Sequence, residues 1–242
     1  LNKQRNMSKD RKHIPKASTL MGSLRSMGYS FESAVADVID NSISAHAQNI
    51  RILFPSTPLD ELAIGILDDG DGMKGDVLFE AMRYGSLSAE EERSEDDLGR
   101  FGMGMKSASL SQCRCLTVIS FDGETLNGFK WDYNHILMTQ DWMIQELEKN
   151  EIDELPYIER LKKQDKGTLV LWQDFDVISN SSGGQIYSTL VELRSTLENT
   201  LALIYHRYLT GLGMQHLHIY INELGIKPQD PFLEQHPKTT VK

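Results

Sequence analysis

The pattern of apolar residues predicts its most regular helix between Phe31 and Ala47. Val35, Val38 and Ile39 recur there at helical spacing and so share one side of the helix. Ser30 precedes the segment and can accept a hydrogen bond from a free N–H of the first turn, as an N-cap residue does. The same kind of spacing predicts a short helix over residues 106–111 and a long amphipathic helix over residues 190–209.

Shorter apolar runs, bounded by Gly, Pro or Asp, predict strands between these helices. Residues 84–104 are polar, acidic and interrupted by Gly, which is typical of a long functional loop and indicates a mobile lid. Residues 145–166 are highly charged and are expected to be exposed. The predicted strands cover residues 50–54, 61–67, 116–121, 127–132, 167–172 and 216–222.

The composition is that of an ordinary globular protein of 242 residues, with 40% hydrophobic and 25% charged side chains. No apolar run approaches the roughly 18 residues that a membrane span needs, so no membrane partner is expected. The formal charge of −10 argues against nucleic-acid binding by electrostatics alone. The N-terminal residues lack the apolar stretch of a secretory signal, and Cys113 and Cys115 suit structural thiols of a reducing compartment, so we expect a cytoplasmic protein.

Two polar residues of the first helix form a candidate site. Asp37 and Asn41 stand four residues apart and project from one face of the helix, with roughly 40° between them around its axis. A carboxylate beside a carboxamide suits a site that deprotonates a water molecule and holds Mg²⁺ through oxygen ligands. By itself, the same spacing also fits a solvated polar helix face.

A second candidate is the stretch DDGDGM, residues 68–73, which follows a predicted strand. Its glycines, Gly70 and Gly72, let the backbone approach a ligand closely or adopt positive φ. An ionised Asp68 only accepts hydrogen bonds, so it can pair with the exocyclic amine of adenine but would repel the carbonyl oxygen of guanine. The stretch therefore predicts binding of ATP in preference to GTP.

The same stretch has two other interpretations. A calcium loop would use Asp69, Asp71 and Glu80, which fall at positions one, three and twelve of an EF-hand. However, Met73 replaces a ligand of that motif and Lys74 replaces its turn glycine. A plain surface turn is the second alternative.

A third candidate is the glycine-rich stretch GRFGMGMKS, residues 99–107, which leads into the predicted short helix. Glycine-rich backbone at a helix N-terminus presents free N–H groups and the positive end of the helix dipole to phosphate oxygens. The stretch is neither a Walker A loop nor placed as in a Rossmann unit. Lys106 or Arg100 can contact phosphate, although either residue can equally face solvent.

Together, in this order, the three motifs resemble the GHKL superfamily of DNA gyrase B subunits, ninety-kilodalton heat-shock chaperones, histidine kinases and MutL. DVIDNSISA is similar to the family's N box, DDGDGM to its adenine box, and DLGRFGMGMKSAS to its lid and second glycine box. Gly167-Thr168 matches the late Gly-Thr pair of the family. The resemblance covers about residues 30–172 and is nearest to bacterial MORC-like or MutL-like ATPases, because Lys106 and Ser107 directly follow the glycine box.

The resemblance implies an α/β fold of the Bergerat type, an α+β two-layer sandwich whose mixed, mostly antiparallel sheet carries helices on one face. It implies a basic N-terminal arm over residues 1–17, an ATP-binding domain over 18–213, and over 214–242 the start of a transducer-like domain or a C-terminal extension. ATP and Mg²⁺ are the implied cofactors. The family couples lid closure to dimerisation, so a nucleotide-dependent homodimer is expected, with a DNA or protein client reached through further domains.

Residue by residue, the resemblance implies that Asp37 is the base, Asn41 the Mg²⁺ ligand, Asp68 the adenine reader and Thr168 its neighbour at adenine. The other residues implied to line the nucleotide are Gly70, Gly72, Met73, Gly99, Arg100, Phe101, Gly102, Met103, Gly104 and Lys106.

Asp37 departs from the family pattern, in which hydrolysing members place Glu four residues before the Asn. Aspartate is shorter by one C–C bond, roughly 1.5 Å, so slow hydrolysis is expected, and Glu32 is a conceivable substitute base. A module that binds nucleotide with negligible turnover is a second interpretation, and a histidine kinase, with His13 upstream of the motifs, is a third.

His216 and His218 form an H-x-H pair that fits a metal site or ordinary strand residues.

Overall fold

The computed structural model describes residues 11, 13–26, 28–84, 104–176, 186–212, 215–232 and 239. In this part of the chain, eight strands form one sheet in the order β5-β4-β3-β6-β2-β1-β7-β8. Their bounds are β1 Asn49–Leu53, β2 Ala63–Asp68, β3 Cys115–Phe121, β4 Leu126–Asp132, β5 Gln145–Glu146, β6 Gly167–Gln173, β7 His218–Ile221 and β8 Leu224–Gly225. Only β1 and β7 pair in parallel, so the mixed, mostly antiparallel sheet is confirmed.

Helices cover one face of this sheet and form the main hydrophobic core with it. The helices of the described residues are α1 Ala17–Arg25, α2 Phe31–Ser44, α3 Gly75–Ala81, α4 Gly104–Gln112, α5 Tyr133–Thr139, α6 Lys149–Asp153, α7 Ile158–Leu161, α8 Ile186–Ile204 and α9 His206–Thr210.

Helix α2 is the helix that the apolar spacing predicted, and its start is capped as expected. The Ser30 hydroxyl oxygen accepts a hydrogen bond from the Ser33 N–H at 3.1 Å. Val35 and Ile39 are fully buried in the main core, where α2 packs against α4, α8 and the sheet. This packing fixes the opposite side of the helix, which carries Asp37 and Asn41, toward the exterior.

The charged stretch 145–166 is not simply exposed, so this expectation was wrong in part. Ile152, Ile158 and Leu161 are buried and form a second core on the other face of the sheet. Their spacings of six and three residues, among charged neighbours, are too sparse to stand out as a periodic pattern. The sheet therefore carries a small additional layer opposite its main helices, and β2 is buried along its whole length. Residues Leu53, Leu67, Ile119 and Leu169 complete this second core.

The last strands extend the same sheet. β7 lies in parallel beside β1, β8 pairs with β7, and the Asn222 side chain accepts a hydrogen bond from the Phe54 N–H at 2.8 Å. Residues 218–225 thus belong to the same sheet as β1, and the two interpretations of residues 214–242 stay predictions. Alternation of apolar residues predicts which face of a strand is buried, but it does not specify the neighbouring strand.

Helix α1 follows the basic arm and is fixed at its end by a charged cluster that joins three parts of the fold. The Arg25 guanidinium binds both carboxylate oxygens of Asp176 at 2.6 Å and lies over the Tyr133 ring, 5.0 Å from its centroid. Arg114 contacts the same carboxylate at 3.3 Å and the same ring at 4.9 Å. Charge-assisted hydrogen bonds of this kind are stronger than neutral ones, so the cluster holds α1 against the segments next to β3 and β6.

Candidate functional site

Helix α2 brings Asp37 and Asn41 to one accessible side, as the spacing predicted. The Asn41 Nδ2 donates to the Asp37 backbone oxygen at 2.5 Å. This bond uses the amide nitrogen, so the side-chain oxygen of the exposed Asn41 is the atom left for a hard cation. The residues present therefore fit a Mg²⁺ ion, which would supply charge neutralisation for phosphate oxygens.

The Asp37 carboxylate is half-buried, with other elements on part of its surface. Burial raises its pKa most, the nearby Asp40 raises it further, and a hydrogen bond from Tyr29 lowers it in part. The first residue of α4, Gly104, lies so close that a Cβ there would be 3.3 Å from the Asp37 Oδ2. A carboxylate whose pKa is raised is a stronger base, which is the property that proton abstraction from water needs.

Asp40 was not identified from the sequence, although it lies between the two predicted residues. Burial raises the pKa of its carboxyl group, and the Tyr205 hydroxyl donates to its Oδ1 at 2.7 Å and lies 3.1 Å from the Ala36 backbone oxygen. Tyr205 stands at the break between α8 and α9, which the sequence predicted as one continuous helix. The hydrogen bond between Tyr205 and Asp40 holds this break against α2, the helix that carries Asp37.

Asp68 ends β2 and is buried, with only 5% of its surface exposed. Its Oδ2 accepts a hydrogen bond from the Ser42 hydroxyl at 2.8 Å, and its Oδ1 accepts from the N–H groups of Gly70 at 2.9 Å and Thr168 at 3.2 Å. Desolvation nevertheless raises the pKa of Asp68 to about 6. Ser42 lies on the buried side of α2, and from that side its hydroxyl reaches Asp68.

Asp69 and Asp71 are occupied by protein groups, which removes the calcium interpretation. The Asp69 carboxylate accepts from the N–H groups of Gln48 and Asn49 and from the Asn49 side chain, at 2.7–2.8 Å. Asp71 is paired with His46 at 2.7 Å and with Lys166 at 2.5 Å. Glu80 lies on α3 and pairs with Arg83. Among the described residues, no cluster of three His, Cys, Asp or Glu side chains is arranged to hold a metal ion.

Glycines let the loop after β2 lie directly against its neighbours. Gly72 has φ +69°, and a Cβ at this position would be 2.0 Å from the Phe121 backbone oxygen. At Gly70 a Cβ would be 2.8 Å from the Ala45 backbone oxygen. Gly167 has φ +146°, and a Cβ added at this position would be only 2.1 Å from the Asp68 backbone oxygen. No side chain fits at these three positions, so the backbone itself forms this wall of the site.

Thr168 stands opposite Asp68 in the pairing of β6 with β2, and its role at adenine stays a prediction. Its hydroxyl lies 2.9 Å from the Ser120 hydroxyl of β3. Ser120 also accepts a hydrogen bond from the Met73 N–H at 2.8 Å, and the Met73 side chain packs against the main core. No pattern in the sequence indicated Ser120, because its contacts depend on how β3 and β6 are aligned.

The predicted lid lies mostly outside the described residues. Gly99, Arg100, Phe101, Gly102 and Met103 belong to that segment, so their roles stay predictions.

Lys106 is inside the described region, and of its two interpretations the solvent-facing one is wrong. Only 3% of its surface is exposed, and its Nζ donates to the Ala81 backbone oxygen at the end of α3, at 2.6 Å. Desolvation lowers the pKa of Lys106 to about 8. A phosphate contact of this ammonium group stays a prediction.

His216 and His218 lie with their ring centroids 4.5 Å apart, and His216 Nε2 is 3.2 Å from the Leu209 backbone oxygen. They belong to no metal cluster among the described residues. Cys113 and Cys115 form no disulfide with each other, which agrees with the prediction that they are structural thiols.

The raised pKa of Asp68 predicts a pH-dependent stability. The unfolded carboxyl group titrates at its ordinary value of 3.8 and the folded one at about 6, so the folded state binds the additional proton between these values. The contribution of Asp68 to stability is therefore greatest below the unfolded pKa and is lost as the pH rises through about 6. Between pH 5 and pH 7 the loss is about 1 kcal/mol.

Urea unfolding of the wild-type protein and of Asp68→Asn at pH 5 and pH 7 measures this effect. From pH 5 to pH 7, we expect the free energy of unfolding of the variant to increase by about 1 kcal/mol relative to that of the wild type. Other titrating groups cancel in the difference, so an equal pH response of both proteins would contradict the raised pKa of Asp68.

Comparison with known proteins gives two matches. The family model of histidine kinase-, DNA gyrase B- and HSP90-like ATPases matches residues 29–168, more than half of the chain. MORC family CW-type zinc finger protein 3 of Mus musculus is 28% identical over 96 residues, which are 39% of this chain and 10% of that protein. The matched region thus spans about a tenth of this relative. Separately, no described helix is long and apolar enough to cross a membrane.

Proposed function

Because the chain belongs to the family of histidine kinase-, DNA gyrase B- and HSP90-like ATPases, we propose that it binds ATP with Mg²⁺ and hydrolyses it slowly. The buried carboxylate of Asp68 is the observation that carries ATP binding. It ends a strand beside glycine backbone and Thr168, and it remains an acceptor despite the cost of its burial. An acceptor fixed in this way suits the exocyclic amine of adenine.

Hydrolysis is assigned to Asp37. Its carboxylate takes a proton from a water molecule, the water oxygen attacks the γ-phosphorus, and the bond from phosphorus to the bridging oxygen of ADP breaks. Asn41 would hold Mg²⁺ through its side-chain oxygen, and the backbone of the glycine-rich stretch that ends at Gly104 would contact the phosphates. The contact between Gly104 and Asp37 supports a site in which the phosphates and the base meet at the start of α4.

The biological output of this cycle is proposed by analogy with the family. Lid closure over ATP would favour a homodimer and move a following domain, through which a DNA or protein client is reached. The likeness to a MORC family protein agrees with such a role, and a location in the cytoplasm stays a prediction.

A module with negligible turnover is the second candidate, and one observation favours it. Asp37 is shorter than the Glu of hydrolysing relatives, so its carboxylate reaches less far from α2. Phosphate release measured on a sample whose ATP binding has been titrated separates the two candidates.

Isothermal titration of ATP into the wild-type protein and Asp68→Asn tests nucleotide binding. We expect the variant to bind ATP roughly 10–100-fold more weakly, because a hydrogen bond to a charged group contributes about 1.5–3 kcal/mol. Loss of folding is not expected, since the amide retains the shape of the carboxylate and removes a buried charge.

Asp71→Asn is the matched control, because this carboxylate belongs to the same loop but is exposed and paired with His46 and Lys166. Its ATP affinity should stay within about threefold of the wild type, as expected for surface ion pairs. Wild-type affinity in Asp68→Asn would exclude Asp68 as the adenine reader.

A further inference from the structure

Ser120 joins three parts of the candidate site, although no side of it reaches solvent. It lies in β3 directly opposite Thr168 of β6, and its exposed fraction is 0%. Its hydroxyl oxygen is 2.8 Å from the Met73 N–H, 2.9 Å from the Thr168 hydroxyl and 3.3 Å from the Gly167 backbone oxygen. The loop after β2 and the end of β6 are therefore both attached to this one hydroxyl group.

The distances indicate the direction of these hydrogen bonds. The Met73 N–H can only donate, so Ser120 accepts from it and has one hydrogen left to give. Two acceptors compete for this hydrogen, the Gly167 oxygen at 3.3 Å and the Thr168 hydroxyl at 2.9 Å, and the shorter distance favours Thr168. In that arrangement the Thr168 hydrogen is left for another acceptor.

No second protein partner of the Thr168 hydroxyl is found among the described residues. Its neighbour is the Asp68 carboxylate, to which the Thr168 N–H donates at 3.2 Å. The strand end thus presents a hydroxyl donor beside a carboxylate acceptor. Adenine presents the complementary pair on its Watson–Crick edge, an acceptor at N1 and a donor amine, whereas hypoxanthine and guanine present a donor at N1 and a carbonyl acceptor.

We propose that Ser120 is a positioning residue for base selection, which fixes the Thr168 hydroxyl as a donor toward the purine. The inference rests on the proposed ATP binding and adds to it the residue that sets its preference for adenine. Without Ser120, the Thr168 hydroxyl can turn to the Gly167 oxygen or serve as an acceptor, and a base with the opposite pattern is rejected less strongly.

The test compares ATP with inosine triphosphate, which differs at the recognised edge, by isothermal titration. The proteins are the wild type, Ser120→Ala, Thr168→Val and the double variant. We expect the wild type to prefer ATP, and Ser120→Ala to reduce this preference about 3–10-fold, as expected for one neutral hydrogen bond. In the Thr168→Val background, Ser120→Ala should change the preference no further, because it acts through the missing hydroxyl.

Thr117→Val is the matched control, since it removes a fully buried hydroxyl from the same strand on the opposite face of the sheet. It should leave the ratio of the two affinities unchanged. If Ser120→Ala does not fold, Ser120→Cys replaces it, because a thiol has similar size but donates weakly.

The outcomes separate the inference from the proposed function. A wild-type protein that binds neither nucleotide would overturn ATP binding itself. A wild type that prefers ATP, with Ser120→Ala lowering both affinities equally, would show that Ser120 has only a structural role and would overturn the inference. The inference would also be overturned if Ser120→Ala reduced the preference for ATP as much in the Thr168→Val background as in the wild type.

Discussion

Asp37→Asn is expected to lower the rate of phosphate release at least ~100-fold while ATP affinity stays within about threefold of the wild type. The amide cannot take a proton from water, and positioned bases contribute typically 10²–10⁴-fold to such reactions. The residue has no assigned contact with the nucleotide base, so binding does not depend on its charge. Single-turnover phosphate release and ATP titration on the same protein sample measure both quantities.

Glu32→Gln is the matched control for Asp37→Asn. It makes the same change from carboxylate to amide near the beginning of the same helix, and Glu32 is the substitute base that the sequence allows. Its phosphate release should equal that of the wild type. A loss in Glu32→Gln without one in Asp37→Asn would transfer the role of base to Glu32, and undetectable release by the wild type would favour the module with negligible turnover.

Gly72→Ala is expected to cause the largest loss of stability among the substitutions considered. The left-handed φ of +69° costs any other residue about 1–2 kcal/mol. In addition, the new Cβ would meet the Phe121 backbone oxygen at 2.0 Å, and neither backbone can turn away as a side chain can. We expect a loss of about 3 kcal/mol or more, which lowers the melting temperature by roughly 6–12 °C. Thermal unfolding followed by circular dichroism measures this change.

Gly28→Ala isolates the contact from the backbone cost. Gly28 has φ +74°, close to the value of Gly72, but a Cβ there would meet no atom within 4 Å. This variant should lose only the 1–2 kcal/mol of the left-handed conformation. Equal losses of stability in the two variants would mean that the loop after β2 can move away from β3 without cost, which contradicts the close contact between Gly72 and Phe121.

The elements with dense apolar patterns were predictable from the sequence. Helix α2 and strands β2 and β6 combine regular spacing with clear ends, such as Ser30 and the DDGDG turn, so local sequence determines them. The same reasoning placed Asp68 at the end of a strand, where the structure has it. Helix α3 has one buried residue, Leu78, and short helices with so few apolar positions give no periodic signal.

Contacts between distant segments were not predictable. Ser120 meets Thr168 only because β3 and β6 pair in one register, and a shift by a single residue would turn either side chain to the other face. The bond between Tyr205 and Asp40 joins residues 165 positions apart. One sequence contains the residue types for such contacts but not the alignment that creates them.

Among the described residues, the two strands at the outer edges of the sheet, β5 and β8, have only two residues each. A segment of another chain that added itself to either edge would find very few free backbone groups in a row, too few for a stable ladder. Growth of the sheet from molecule to molecule is therefore disfavoured at these two edges. Copies of this domain that associate are expected to meet through helices and loops, where nucleotide binding can change the contact surface.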